Sequence, residues 1–154
     1  MLTKPYDPYN NDILFDGQLG SLDFRDGKWN GIFYEEDEEK AKQQGRKQNS
    51  GNLIVDFDLP KNKNVSEIAV SCMESINVGF ILHPESISLY DISSGSEKLI
   101  SSISIPKSDV DKPDSKKVFK LSLKQKNIER VRLKINSNRK LPKGHVAEGQ
   151  PAWV

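Results

Sequence analysis

Strict alternation of apolar and polar residues is the feature of this chain that most constrains its fold. In residues 129–136, Val131, Leu133 and Ile135 alternate with arginine and lysine. The same alternation occurs in residues 52–59, 66–72 and 118–123. Successive side chains of a strand point to opposite faces of a sheet, so each segment is predicted to be a strand with one buried and one solvated face.

Turn-forming residues separate the predicted strands and indicate how they are arranged. Further strands are predicted at 86–91 and 99–105, and Pro, Gly, Asn, Asp or Ser cluster at 60–64, 93–96 and 111–114. Short strands at such regular spacing predict an all-β fold, an antiparallel β-sandwich or jelly roll. With 154 residues and 35% hydrophobic residues, the chain fits one sandwich domain, residues 1–154, with polar outer faces.

The net charge and the cysteine content limit which binding partners and which cellular compartments fit this chain. The chain has 23 basic and 22 acidic residues, which gives a net charge of +1 and does not favour nucleic acid or an anionic membrane as partner. No apolar stretch approaches the roughly 20 residues of a membrane span, so no membrane insertion is expected. The single cysteine, Cys72, is predicted to be a buried, inert thiol in a strand, as suits a cytosolic protein or an exported bacterial protein without disulfides.

Residues 35–48 form a charged insert without an apolar face. Such a segment cannot bury enough surface to offset the entropy of ordering, so it is predicted to be a solvated loop or a short frayed helix. Its acidic block could suggest metal binding, but a solvated run of charges is the favoured interpretation.

Catalytic motifs are missing from the sequence. It contains no nucleophile elbow, zinc-protease motif, phosphate-binding loop or dinucleotide fingerprint, and its two histidines, His83 and His145, lie far apart in the chain. Asp16, Asp23 and Asp26 could supply a carboxylate pair for sugar hydrolysis. They stand in Asp-Gly turns, however, where aspartate usually accepts hydrogen bonds from its own backbone. The sequence therefore favours binding over catalysis.

Two segments rich in glycine and aromatic residues flank the predicted strands and resemble a known family. Residues 16–31 read DGQLGSLDFRDGKWNG and residues 141–154 read LPKGHVAEGQPAWV. Both resemble the discoidin-type (coagulation factor V/VIII C-type) domain at the C-terminus of Bacteroidetes chitobiases, the β-N-acetylhexosaminidases of glycoside hydrolase family 20. Residues 78–90, VGFILHPESISLY, are similar to the middle of that domain.

The resemblance implies a galactose-binding-like jelly roll, similar to family 32 carbohydrate-binding modules. It implies a non-catalytic accessory domain of a secreted, periplasmic or cell-surface bacterial glycosidase. The expected partners are a covalently linked catalytic domain and a glycan of N-acetylhexosamine or galactose type. The family pattern continues past Val154 with one more strand, so we expect the chain to be a fragment of a longer protein, and the insert at 35–48 is longer than the family pattern.

Candidate site residues lie in the two flanking segments. Arg25, Trp29, Tyr34 and His145 offer aromatic faces and hydrogen-bonding groups to a sugar. Structural alternatives stay open: Trp29 as an anchor at the edge of the core, which is favoured, and His145 as a plain exposed loop residue.

A calcium site is a further implication of the resemblance, because related modules hold a structural Ca²⁺ just after the first Asp-Gly. Asp16 and Ser21 match the first ligands of that site. The closing glutamate of the pattern would lie beyond Val154. Hard oxygen ligands of this kind suit Ca²⁺.

Two other functions compete with glycan binding. One is a structural spacer that packs on a catalytic domain without binding sugar, and an apolar patch on a sheet face would favour it over a patch at the loops. The other is a small hydrolase, which two facing carboxylates in a cleft between the loops would favour.

Overall fold

The computed structural model describes residues 19–29, 31, 38–43, 52–61, 64–124, 127–137 and 139–154. Six strands and two short helices lie within these ranges. The elements are α1 (Glu38–Gln43), β1 (Asn52–Asp58), β2 (Glu67–Glu74), α2 (Ile76–Gly79), β3 (Ser86–Asp91), β4 (Lys98–Ser104), β5 (Ser115–Ser122) and β6 (Arg130–Asn136).

The strands form two antiparallel sheets that share one hydrophobic core. One sheet has the order β1-β6-β3-β4, and the other pairs β2 with β5. Both sheets contribute side chains to the core, which comprises Cys72, Ile87, Leu89, Ile105, Leu121, Leu123, Val131, Leu133 and Ile135. The prediction of an all-β antiparallel sandwich is confirmed.

Strand β6 has the predicted orientation at the centre of the larger sheet. Val131, Leu133 and Ile135 are buried, and the intervening basic residues are not. On the outer face, Arg132 donates to both carboxylate oxygens of Asp56 and also pairs with Glu97. Because Asp56 accepts these bonds, its pKa lies below the usual value. The outer face therefore carries a network of paired charges, together with the exposed side chain of Ile54.

Helix α1 lies within the predicted charged insert. Glu39 and Lys42, one turn apart, form an exposed ion pair with an N–O distance of 3.5 Å. The helices have six and four residues, and neither is long and apolar enough to cross a lipid bilayer.

The closing segment of the chain packs across one end of the sandwich. Leu82 donates its backbone N–H to the carbonyl of Trp153, and Trp153 donates to the carbonyl of Phe80. Beneath these contacts lies a second small core of Ile76, Leu82, Leu141 and Ala152. The C-terminal segment is thus fixed against the connection between β2 and β3.

Candidate functional site

Four segments meet at this end of the sandwich, and we call it the loop end: residues 19–29, 75–85, 105–114 and 139–154. Asn77 donates to the carbonyl of Val110 at 3.0 Å, which ties the second segment to the third. Arg139 donates to the carbonyls of Pro84 and Ile105, so the fourth segment is tied to both. Phe24 of the first segment borders Gly79 of the second. The described part of the opening segment, residues 19–29, and the closing segment therefore lie at one end of the fold.

The opening segment folds as a series of tight turns held by its own side chains. Asp23 Oδ1 accepts from the backbone of Arg25, and Asp26 accepts from the backbones of Lys28 and Ser21. The bond from Ser21 is the main reason that the pKa of Asp26 lies below its usual value. The prediction that the aspartates of this segment bond their own backbone is confirmed for Asp23 and Asp26, whereas Asp16 lies outside the described residues.

Trp29 anchors this segment through its indole ring. Its Nε1 donates to the carbonyl of Ser21 at 3.1 Å. The ring lies directly against Gly20, where any Cβ would overlap it, so glycine is required by this close approach. Lys116 of β5 in turn donates to the Gly20 carbonyl at 2.7 Å, which attaches the segment to the smaller sheet.

Arg25 is one of the exposed polar residues of the opening segment. Its guanidinium lies over the ring of Phe24, 4.3 Å from the centroid. The Phe24 ring borders α2, because a side chain added at Gly79 would lie 3.2 Å from its Cε1. Arg25 is thereby held beside the connection from β2 to β3.

His145 is buried beneath the loop end and is not an exposed loop residue. It is 5% exposed. Its Nδ1 accepts from the backbone of Ala147 at 3.0 Å, and its Nε2 lies 3.2 Å from the carbonyl of Ile76. An imidazole that accepts at Nδ1 carries its proton at Nε2, so both nitrogens are engaged. The ring also meets Phe80 edge-to-face, with centroids 4.9 Å apart.

Of the remaining candidates for sugar or metal binding, only Ser21 lies among the described residues. Tyr34 and Asp16 lie outside the described residues. The hydroxyl of Ser21 accepts from the backbone of Asp23 at 3.1 Å. In the part of the chain that the structure describes, no group of three or more His, Cys, Asp or Glu side chains could hold a metal ion. The structure thus brings Arg25, Trp29 and His145 to one end of the fold, where Arg25 and His145 both lie near α2.

Large apolar side chains are exposed at the loop end, and sequence reasoning missed them. Five of the eight large apolar residues that are exposed in the described part of the chain lie here, namely Leu19, Leu22, Val78, Phe80 and Val146, which are 38% to 93% exposed. The other three, Ile54, Leu99 and Val118, lie on β1, β4 and β5. The signal in the sequence was the run Asn77-Val78-Gly79-Phe80, where alternation stops between two predicted strands. Exposed apolar groups gathered in one place are a common mark of a binding surface.

A buried acid–base pair lies below these loops and was also missed. Glu74 and His83 are 1% and 2% exposed, with Oε2 and Nε2 3.9 Å apart. His83 also meets the Phe119 ring edge-to-face. Burial, more than any nearby charge, holds the pKa of His83 below its usual value. Glu74 Oε1 accepts from the backbone of His83, so the pair joins the two ends of the connection that contains α2.

No protein-family model matches the chain, and no curated protein is similar to it. The resemblance to the discoidin-type domains of chitobiases stays a prediction from the quoted motifs.

Proposed function

We propose that this chain is a non-catalytic carbohydrate-binding module. It holds a glycan of N-acetylhexosamine or galactose type at the loop end and acts beside a covalently linked β-N-acetylhexosaminidase catalytic domain. An accessory domain of this kind works on polymeric substrates outside the cytoplasm, in the periplasm or at the cell surface of a bacterium.

The position of the exposed apolar side chains supports this proposal most directly. They include Phe80 and Val78 at the loop end, where Arg25 supplies hydrogen-bond donors. Sugar recognition needs this combination, because a pyranose has an apolar C–H face and a rim of hydroxyl groups. The outer face of the larger sheet bears the paired charges of Arg132, Asp56 and Glu97, and Ile54 is exposed beside them.

Five groups considered above for acid–base catalysis have other partners or are buried. Asp23 and Asp26 accept hydrogen bonds from their own turns. Both nitrogens of His145 have backbone partners. Glu74 and His83 are buried, where a substrate has no access. The hydrogen bonds and burial of these groups favour sugar binding without catalysis.

A structural spacer is the second candidate function, and the same apolar cluster supports it. Leu22, Val78 and Val146 carry no hydrogen-bonding side-chain groups, and a catalytic domain could cover them without any sugar. The two functions differ in the partner that the loop end contacts.

Titration of isotopically labelled protein with single sugars tests the proposal. Galactose, N-acetylgalactosamine, N-acetylglucosamine and chitobiose are the ligands, and amide and indole resonances are followed by NMR. A single sugar buries little area, so the expected Kd is on the order of millimolar, about −4 kcal/mol. The resonances of Arg25 and of the Trp29 indole should move.

A matched pair of variants locates the site. Arg25→Ala should weaken the shifts without unfolding the domain, whereas Arg130→Ala, on the outer face of β6, should leave them unchanged. Shifts that persist in Arg25→Ala would move the site away from the opening segment. If no sugar shifts any resonance at tens of millimolar, glycan binding is wrong and the spacer function replaces it.

A further inference from the structure

Phe80 has a backbone conformation that its residue type disfavours. Its φ is 55° and its ψ is 35°, which places it in the left-handed region at the end of α2. This position after a helix is usually occupied by glycine or asparagine, because a bulky side chain there crowds its own backbone. In the described part of the chain, Asn127 is the one other residue besides glycine with a positive φ.

The surroundings of Phe80 hold it in this conformation. Its N–H donates to the carbonyl of Ile76 at 3.2 Å, and its carbonyl accepts from the backbone of Trp153 at 2.9 Å. Its ring meets the buried ring of His145 at an interplanar angle of 87°. The N–H and the carbonyl of Phe80 therefore both have backbone partners, and its ring packs against His145.

The Phe80 ring is held in place without being buried. As a residue, Phe80 is 38% exposed, and Val78, two positions earlier, is 63% exposed. A turn that needed only the left-handed conformation would be served better by glycine, and a ring needed for the core would lie inside it. Strained residues that persist under such conditions are concentrated at functional sites.

We propose that Phe80 is the aromatic platform on which the sugar ring packs, with His145 as its positioning residue. This inference rests on the proposed function and names the contact within it. An aromatic face fixed in advance binds the C–H face of a pyranose without losing further conformational freedom. Trp29 is less suited to this role, because its ring lies against Gly20 and its Nε1 is bonded to Ser21.

The geometry also assigns a polar rim to this platform. Asn77 is exposed and uses Nδ2 to bond Val110, which leaves its Oδ1 to accept from a sugar hydroxyl. Arg25, stacked on Phe24 near Gly79, supplies donors from the other segment. An acceptor and several donors near an aromatic ring suit a hexose, whose hydroxyls both donate and accept.

The test measures sugar binding and thermal stability of the same variants. Phe80→Gly and Phe80→Asn relieve the backbone conformation and remove the ring, whereas Phe80→Tyr keeps the ring. We expect at least a tenfold weaker Kd for the first two, near-normal binding for Phe80→Tyr, and a Tm for Phe80→Gly equal to or above that of the parent. Leu99→Ala, which changes an exposed apolar residue of β4 outside the loop end, should keep the affinity of the parent protein.

Two outcomes separate this inference from the proposed function. If the parent protein binds sugar and Phe80→Gly binds it equally well, the platform is wrong while glycan binding stands. If the parent binds no sugar, both are wrong.

A large fall in Tm for Phe80→Gly would assign the ring a structural role and contradict the inference. Intermolecular NOEs between Phe80 ring protons and sugar protons in the parent protein give a readout that does not depend on any variant folding, and their absence in the bound state would also overturn it.

Discussion

Replacement of Val131 tests the register of the central strand. Val131 lies in β6, opposite Phe57 of β1 and Asp91 of β3, and is 0% exposed within the main core. Its neighbour Arg130 points to the other face and has a side chain that is 56% exposed. Adjacent residues of one strand therefore occupy opposite environments, and the matched variants are Val131→Ala and Arg130→Ala.

The size of the effect follows from what each substitution removes. Val131→Ala deletes two buried methyl groups, each worth about 0.8 kcal/mol of transfer free energy, and the cavity adds about 1 kcal/mol. The expected loss in the free energy of unfolding is about 2–3 kcal/mol, which lowers the Tm of a domain of this size by about 5–10 °C. Val131→Asp buries an unpaired carboxylate at a cost of several kcal/mol, a large part of a stability of about 5–15 kcal/mol.

Urea unfolding followed by tryptophan fluorescence, with thermal melting as a second measurement, checks this prediction. Arg130→Ala should stay close to the parent protein, and the urea dependence of unfolding should be the same for both alanine variants. Equal losses for Val131→Ala and Arg130→Ala would refute the assigned register. A folded Val131→Asp with parent-like stability would refute it as well.

Two further predictions concern buried titratable groups. Burial holds the pKa of His83 below about 6.5, its usual value, so the unfolded chain takes up the proton first as the pH falls. The free energy of unfolding should therefore decrease as the pH drops below about 6.5. The charge of Glu74 opposes this lowering of the pKa, and the charges of Lys112, Lys117 and Arg139 reinforce it. Urea unfolding at several pH values should show that the free energy of unfolding of His83→Gln depends less on pH than that of the parent protein. The same pH dependence in both proteins would contradict the lowered pKa of His83. Burial also raises the pKa of the Cys72 thiol to about 12, so a disulfide reagent at neutral pH should modify it only after unfolding, and fast modification of the native protein would contradict its burial.

The strands could be predicted because their signal is local. In β1 and β6 every second residue faces the core, and one apolar face is enough to specify a half-buried strand. The turns of the opening segment could be predicted for the same reason, since Asp23 and Asp26 bond backbone groups within five residues of themselves.

The interior of the loop end could not be predicted, because its contacts join residues distant in sequence. His145 reaches the carbonyl of Ile76, 69 residues away, and Lys116 reaches Gly20 across 96 residues. A histidine in a glycine-flanked segment looks exposed until the fold places another segment over it. The left-handed backbone of Phe80 also gave no signal, since sequence preference at that position favours glycine.

The contrast between the two conspicuous aromatic residues explains how the loop end is organised. Trp29 has the larger ring, yet its indole is used to hold the opening segment against Gly20 and, through Lys116, against the smaller sheet. Phe80 has the smaller ring, and the structure holds it in a disfavoured backbone conformation with part of its surface exposed. A ring that stabilises a segment must be covered by it, whereas a ring that contacts a ligand must remain uncovered and must not move. The exposed residue, whose backbone is hydrogen-bonded on both sides and whose ring packs on His145, is therefore the better candidate for ligand contact, even though the glycine-rich motif around Trp29 is the more conspicuous feature of the sequence.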